Sequence, residues 1–262
     1  MHPEARDMAE RFLRACDAAA PGLVTDLYIV GSTALDDFQP GKSDLDFLAV
    51  VGRPITVSEG DAIARALGRR FDGMFITPGD LQIGPGMMLG PRWVITSKGF
   101  NQTFLSGPRD PIAWVTLAQC GVVVRGAAVS EVRLWNDPAR VFDWILENAY
   151  SYWRALWRRS RVLPSPAGVI ALSAWFTTWS VLGLARQVYT ARTGMIASKA
   201  GAGRYALEAL DLRWRPIIED ALRIRAGEAS AYANPFERRT QALAFMDMAM
   251  NEITKEALRR YT

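Results

Sequence analysis

The stretch that most constrains this chain is an apolar segment that runs into a Gly-Ser dipeptide and is followed by two aspartates and a second apolar segment. Residues 27–30 contain aromatic and β-branched side chains, which are typical of a buried strand. Residues 45–51 predict another strand for the same reason. Because Ser43 follows Ser32 by only eleven positions, we expect a short connection between the two strands.

Two aspartates, Asp44 and Asp46, lie at the start of the second predicted strand. Side chains alternate faces along a strand, so both carboxylates are expected on one face. Carboxylates this close repel each other unless a cation lies between them, and Mg²⁺ is commonly held by one or two carboxylates plus substrate phosphates. A D-x-D pattern is also frequent by chance, and Ser-Asp before a strand is a common turn signal. The aspartates alone leave both interpretations open.

The Gly31-Ser32 dipeptide complements the aspartates. Glycine lets the backbone approach a ligand closely, and Ser32 offers a hydroxyl and an amide to phosphate oxygens. A triphosphate could therefore bind with its phosphates at Gly31-Ser32 and its metal at Asp44 and Asp46. The two elements together favour the metal-site interpretation.

Gly31-Ser32, a spacer and Asp44-x-Asp46 at the head of an apolar strand resemble the nucleotidyltransferase fold of the DNA polymerase β superfamily. Within it, the pattern is most similar to the streptomycin/spectinomycin adenylyltransferases. The resemblance implies a third carboxylate from a later strand, for which Asp72 is the candidate. It implies that Asp44, Asp46 and Asp72 are the catalytic residues and the ligands of two Mg²⁺ ions. The antibiotic-modifying members carry a glutamate, proposed as general base, where this chain has the shorter Asp72.

Patterns along the chain predict two domains. In the first half, predicted strands alternate with helices over residues 3–20, 58–70 and 111–120, and residues 78–92, rich in glycine and proline, predict a long loop. From Pro138 onward the sequence predicts helices over residues 138–160, 167–192, 198–211, 214–226 and 235–260. We therefore predict an α/β (α+β) nucleotidyltransferase domain with a mixed sheet over residues 1–136, followed by an all-α helical-bundle domain over residues 137–262.

Basic residues are concentrated in the predicted helical domain. Between Glu147 and Glu208 there is no acidic residue, whereas the same span holds eight arginines and lysines, although the net charge of the chain is only +4. A surface of one sign attracts the opposite sign, so we expect an anionic ligand. Ser198 predicts the N-cap of a helix that begins at Lys199, where free amides bind phosphate. Arg186 could reach the same phosphates.

The resemblance implies specific roles for this domain. In the adenylyltransferases, one arginine and one lysine at this spacing bind the triphosphate, and Arg186 and Lys199 occupy the matching places. A tyrosine before the last helix contacts the adenine ring, and Tyr232 is the counterpart. The resemblance thus implies that ATP binds between the two domains and that AMP passes to a hydroxyl of a small acceptor. In that reaction Ser32, Arg186 and Lys199 neutralise the departing pyrophosphate.

The acceptor is less constrained than the reaction. Streptomycin and spectinomycin are the acceptors that the resemblance favours, but polycationic drugs need carboxylates, and the early helices of the second half offer few. Aromatic residues are abundant there instead, a spacing typical of a helix-packing core. A non-aminoglycoside acceptor therefore stays open. These aromatic residues are Trp144, Tyr150, Tyr152, Trp153, Trp157, Trp175, Phe176 and Trp179.

Composition excludes several other classes. The only histidine is His2, which disfavours histidine bases and histidine-rich zinc sites, and the cysteines Cys16 and Cys120 show no metal-site spacing. No apolar run is long enough for a membrane span, and the first residues lack a signal-peptide layout. We expect a cytoplasmic, monomeric enzyme with small-molecule partners and no membrane. A nucleic-acid binder is disfavoured because long Lys/Arg runs are lacking. A catalytically idle nucleotide-binding module stays open.

Overall fold

The structure is a computed structural model that describes residues 1–67, 70–88, 92–96, 99–103 and 110–261. The chain divides into two compact units, Met1–Asp137 and Pro138–Thr262, which are described separately below.

The first unit is built on one six-stranded mixed sheet. Its strands lie in the order β5-β4-β3-β2-β1-β6. They are β1 (Val24–Ile29), β2 (Leu45–Val51), β3 (Phe71–Ile76), β4 (Arg92–Thr96), β5 (Gly99–Thr103) and β6 (Val122–Arg125). β2 and β3 pair in parallel and the other neighbours pair antiparallel, which confirms the predicted mixed sheet. Strands β4 and β5 were not predicted from the sequence.

Helices accompany this sheet, and both of its faces carry a core. The helices are α1 (Pro3–Ala19), α2 (Gly31–Ala34), α3 (Val57–Leu67), α4 (Pro78–Ile83) and α5 (Ile112–Cys120). One face of the sheet packs against α1, where Phe12 contacts Phe47 and Phe75. The opposite face holds a second core that includes Leu48, Met74 and Trp114, the last from α5.

Two predictions in this unit need correction. Residues 78–83 form helix α4 and not the expected loop, because Thr77 and Asp80 make a capping box and Pro78 fits the first helical turn. Helix α3 begins at Val57, so Ser58 is not its N-cap. Arg70, the expected end of that helix, lies outside it with a φ of 76°. Residues 68–69 and 89–91, also covered by these two predictions, lie outside the described residues.

The second unit is helical, as predicted. Its α-helices are α6 (Pro138–Asn148), α7 (Arg154–Ser160), α8 (Pro166–Ile170), α9 (Ala174–Thr193), α10 (Lys199–Ala209), α11 (Arg215–Ala226) and α12 (Pro235–Tyr261). The predicted helix 138–160 contains one π-helical turn, Ala149–Trp153, between α6 and α7. The predicted helix 167–192 is divided into α8 and α9, because Ser173 starts a new helix by accepting from the Phe176 amide. Helix α9 packs against α6, α10, α11 and α12 and forms the centre of the unit.

Across the described residues, no helix combines the length and the apolar character that crossing a bilayer requires.

Candidate active site

Asp46 and Asp72 lie side by side at the end of the sheet. Asp46 is the second residue of β2 and Asp72 is the second residue of β3, and the parallel register pairs their Cα atoms directly. Neighbouring strands are about 4.8 Å apart, so the two carboxylates project as neighbours. Because side chains alternate along a strand, both carboxylates share the sheet face of Leu48 and Met74. Asp44 immediately precedes β2 and is half-buried.

The Gly31-Ser32 dipeptide packs directly on Asp46. The sequence predicted a turn here, but Gly31 begins the short helix α2, with a φ of 59°. A Cβ atom on residue 31 would lie 2.6 Å from the Cβ of Asp46, a distance that packed side chains do not reach. The Ser32 amide points toward the Asp46 carboxylate, with 3.4 Å between its nitrogen and Oδ2. Only glycine therefore lets the start of α2 approach the aspartate so closely.

The electrostatics of Asp72 show that further acids lie close to it. The pKa of Asp72 is raised to about 6, first by burial of the carboxyl group and then by the negative charges of Asp44 and Asp110. The residue as a whole is exposed, so protein atoms crowd the carboxyl group while solvent still reaches it. A carboxyl group with this pKa loses its proton near neutral pH, which suits a general base.

Asp110 is a neighbour that sequence reasoning missed. Its carboxylate accepts a hydrogen bond of 2.8 Å from the Ile112 amide at the start of α5. An Asp-Pro pair before an apolar helical segment is a recognisable helix start. Its proximity to Asp72 depends on how α5 packs on the sheet, and the local sequence carries no signal of that.

The donor set fits a divalent cation chemically. Carboxylate oxygens are the preferred ligands of Mg²⁺, and the mutual repulsion of Asp44 and Asp72 is the kind that a bound cation relieves. Within the described ranges, however, no group of three or more acidic, histidine or cysteine side chains is already arranged to hold a metal ion. Asp44, Asp46 and Asp72 would have to be drawn together by the ion.

In the helical unit, Arg186 lies against the start of α10. Its Nε donates a 3.0 Å hydrogen bond to the carbonyl oxygen of Ala197. Ser198 caps α10 by accepting from the Gly201 amide at 3.0 Å, which confirms the predicted N-cap, and Lys199 is the first helical residue. Arg186 and Lys199 are both half-buried and lie near one helix N-terminus, an arrangement that suits phosphate oxygens.

Tyr232 is in a loop that is anchored by a buried carboxylate. Asp220, fully buried on α11, accepts hydrogen bonds from the Ser230 hydroxyl at 2.9 Å and from the Ala231 amide at 2.5 Å. The Tyr232 amide in turn donates to the Ser230 hydroxyl at 3.1 Å. Burial, with smaller contributions from Asp220 and Glu237, raises the pKa of Tyr232, so its phenol stays protonated.

The aromatic residues of the second unit are only partly a core. Trp153 and Phe176 are buried, as a helix-packing core requires. Trp175 and Tyr152, in contrast, expose 61% and 45% of their surface, so the packing-core prediction is wrong for them.

Comparison with known proteins places this fold in a class. Residues 9–72, which contain Gly31-Ser32 and the three aspartates, match the family model described as the nucleotidyltransferase domain. Together with the mixed sheet, this match defines a nucleotidyltransferase. Residues 140–252 match the model described as the C-terminal domain of aminoglycoside adenylyltransferase. The two matches together support an aminoglycoside adenylyltransferase-like nucleotidyltransferase, which confirms the resemblance.

A solved structure supports the same fold. The chain is similar to the crystal structure of the spectinomycin adenyltransferase AAD(9) from Enterococcus faecialis with ATP and spectinomycin. The TM-score is 0.68 at 16% sequence identity, and the similarity covers 95% of this chain and 98% of that chain. A search of curated protein sequences found no match.

Proposed function

We propose that this enzyme transfers AMP from ATP to a hydroxyl group of a small acceptor. The observation that supports this best is the direct pairing of Asp46 with Asp72 on parallel strands, with Gly31 and Ser32 packed against Asp46. Paired carboxylates beside a phosphate-binding helix start are what nucleotidyl transfer needs.

The three aspartates would have separate tasks. Asp44 and Asp46 would each contribute ligands to two Mg²⁺ ions, and Asp72 would complete one of the sites. When bound, these ions would stabilise the attacking and leaving oxygens of an in-line displacement. Asp72, with its raised pKa, would also accept the proton of the acceptor hydroxyl.

The helical domain would bind the nucleotide. Arg186 and Lys199, at the start of α10, would contact the phosphates together with Ser32 and neutralise the pyrophosphate that leaves. Tyr232, in the loop held by Asp220, would contact the adenine ring. We assign nucleotidyl transfer to residues 1–136 and nucleotide and substrate binding to residues 137–262, in a monomeric cytoplasmic enzyme.

Two kinds of acceptor deserve testing. Aminoglycosides and aminocyclitols such as streptomycin and spectinomycin come first, because AAD(9), a protein of this fold, was crystallised with ATP and spectinomycin. A non-aminoglycoside acceptor is the second candidate, because residues 148–207 contain no carboxylate to pair with a cationic drug.

A label-transfer experiment tests the proposal. The purified protein is incubated with Mg²⁺, ATP labelled at the α-phosphate, and either spectinomycin or streptomycin, and adenylylated drug is separated from ATP. We expect label in a product with the wild type and a loss of at least about 100-fold with Asp46→Ala. Asp61→Asn, an exposed aspartate of α3, is the matched control and should act like wild type.

The same variants can be tested in cells. A strain that expresses the wild type should resist the drug that is modified, and Asp46→Ala should restore susceptibility. Near-normal turnover by Asp46→Ala would refute the proposed roles of the carboxylates. Unchanged susceptibility in a well-expressed strain would remove the antibiotic as acceptor.

A further inference from the structure

The surface of the helical unit carries an aromatic shelf, which we define as the exposed Tyr152 and Trp175 and the half-buried Trp179. The Trp175 and Trp179 rings stack with centroids 5.4 Å apart and an interplanar angle of 9°. Tyr152 meets Trp179 edge-on at 5.9 Å. Beneath them, buried Trp153 contacts Trp179 at 4.8 Å and fixes its position. The shelf is therefore a supported, ordered aromatic surface that solvent reaches.

The two tryptophans of the shelf lie on the same stripe of α9 as Arg186. A helix turns by about 100° per residue, so Trp175, Trp179 and Arg186, at spacings of four and seven residues, lie within about 40° of one another around the axis. At a rise of 1.5 Å per residue, Trp179 and Arg186 are roughly 10 Å apart along the helix. Gly183 lies between them, and the Trp153 ring packs into the space that a Cβ atom at this position would need.

Exposed arginines of α7 lie close to the Tyr152 end of the shelf. Arg159 is exposed on α7 and lies close enough to Tyr152 to oppose the rise in the pKa of its phenol that burial causes. Arg158 is exposed beside it. On the neighbouring helix α12, Asp247 is engaged by Arg154 at 2.7 Å. A polycation placed on the shelf would therefore meet arginines, and residues 148–207 would offer it no carboxylate.

We propose that the aromatic shelf is the acceptor subsite of this enzyme and that it takes a hydroxylated ring that is neutral or anionic, and not a polycationic aminoglycoside. The inference rests on the proposed adenylyl transfer. The exposed indole of Trp175, parallel to the half-buried indole of Trp179, offers a flat apolar surface on which a sugar or aromatic ring can stack. Arg186, on the same stripe, is the group that the proposed reaction assigns to the phosphates of the nucleotide.

Calorimetry with a matched set of ligands tests this. Phenyl β-D-glucopyranoside is neutral, phenyl β-D-glucuronide adds one negative charge to the same scaffold, and streptomycin is a polycation. Each is titrated into the full chain loaded with Mg²⁺ and α,β-methylene ATP, which cannot donate AMP. We expect both phenyl glycosides to bind more tightly than streptomycin. We also expect Trp175→Ala to weaken their binding about threefold to tenfold, which is what one stacking contact contributes.

Tyr150→Ala is the matched control, because Tyr150 is a similarly exposed aromatic residue whose hydroxyl pairs with Thr254 of α12 at 2.9 Å. It should leave glycoside binding unchanged. Trp175 is exposed, so its alanine variant should fold, and an unchanged melting temperature verifies this. The proposal is overturned if Trp175→Ala binds the glycosides as the wild type does, if streptomycin binds most tightly, or if no glycoside binds.

The preceding titration of the ATP analogue separates this proposal from the one it depends on. If Trp175→Ala loses glycoside binding but still binds the ATP analogue normally, the lost interaction is that of the shelf and not that of the nucleotide site. Failure of the wild type to bind the analogue in the presence of Mg²⁺ would count against the proposed adenylyl transfer itself.

Discussion

Replacing Gly31 by alanine tests the packing of the candidate active site directly. Two costs add at this position. At a φ of 59° an alanine is destabilised by about 1–2 kcal/mol, because its Cβ approaches its own carbonyl oxygen. The same Cβ would also lie 2.6 Å from the Cβ of Asp46, where carbon atoms normally stay at least about 3.5 Å apart.

The second cost is one of overpacking. The Cβ of Asp46 is fixed by strand β2, so relief requires α2 and β2 to separate by roughly 1 Å, and forced expansions of this kind cost about 1–3 kcal/mol. We therefore expect Gly31→Ala to lower the free energy of unfolding by about 2–5 kcal/mol in total. Because a displacement of about 1 Å in a catalytic group can cost 100-fold, kcat/KM for AMP transfer should fall by roughly that factor.

Gly41→Ala is the control that isolates the overpacking. Gly41 has a φ of 72°, but nothing lies within 4 Å of where its Cβ would be, so this variant bears only the backbone cost. Urea unfolding of both variants, with kcat/KM measured below the transition, gives the comparison. Equal destabilisation by the two substitutions, with full activity in Gly31→Ala, would refute the close approach of α2 to Asp46.

Three further outcomes follow from the site. Asp72→Asn should raise the melting temperature at pH 7.5 but not below pH 4. A folded pKa of about 6 disfavours the charged form of Asp72, so the wild-type protein loses folding stability as the pH rises from about 4 to 6. The loss is less than about 1 kcal/mol because the residue is exposed. Asp220→Asn should weaken ATP binding severalfold, because it removes the anchor of the Tyr232 loop. A lower melting temperature with unchanged ATP affinity in calorimetry would exclude Tyr232 from the nucleotide site. Arg186→Gln should weaken ATP binding about tenfold. Arg192→Gln should not, because Arg192 is already paired with Glu252 at 2.7 Å. Equal Kd values for the two variants would argue against the assignment of Arg186 to the phosphates.

Local sequence determined the fold wherever one pattern dominated. The apolar runs before Gly31 and after Asp44 became β1 and β2, and the serine before Lys199 became a helix cap, because strand burial and capping depend on a few neighbouring residues. Helix α4 was also encoded locally, in the capping box of Thr77 and Asp80, but the nearby glycines and prolines favoured a loop.

Long-range pairing could not be predicted in the same way. That Asp46 pairs with Asp72 depends on the register of two parallel strands, which only the assembled sheet specifies. The contribution of Asp110 to the pKa of Asp72 depends on the same assembly. The exposure of Trp175 could not be predicted either, because a tryptophan at helical spacing has the same sequence pattern whether it faces a core or the solvent.

The claim on which the account depends is that the aspartates at the head of β2 bind the nucleotide through Mg²⁺. Calorimetric titration of ATP, with Mg²⁺ and then with excess EDTA, into the wild type and into Asp44→Asn tests it most directly. The account predicts binding by the wild type that requires Mg²⁺ and is lost in Asp44→Asn. ATP affinity that is the same with EDTA, or the same in the variant, would contradict it.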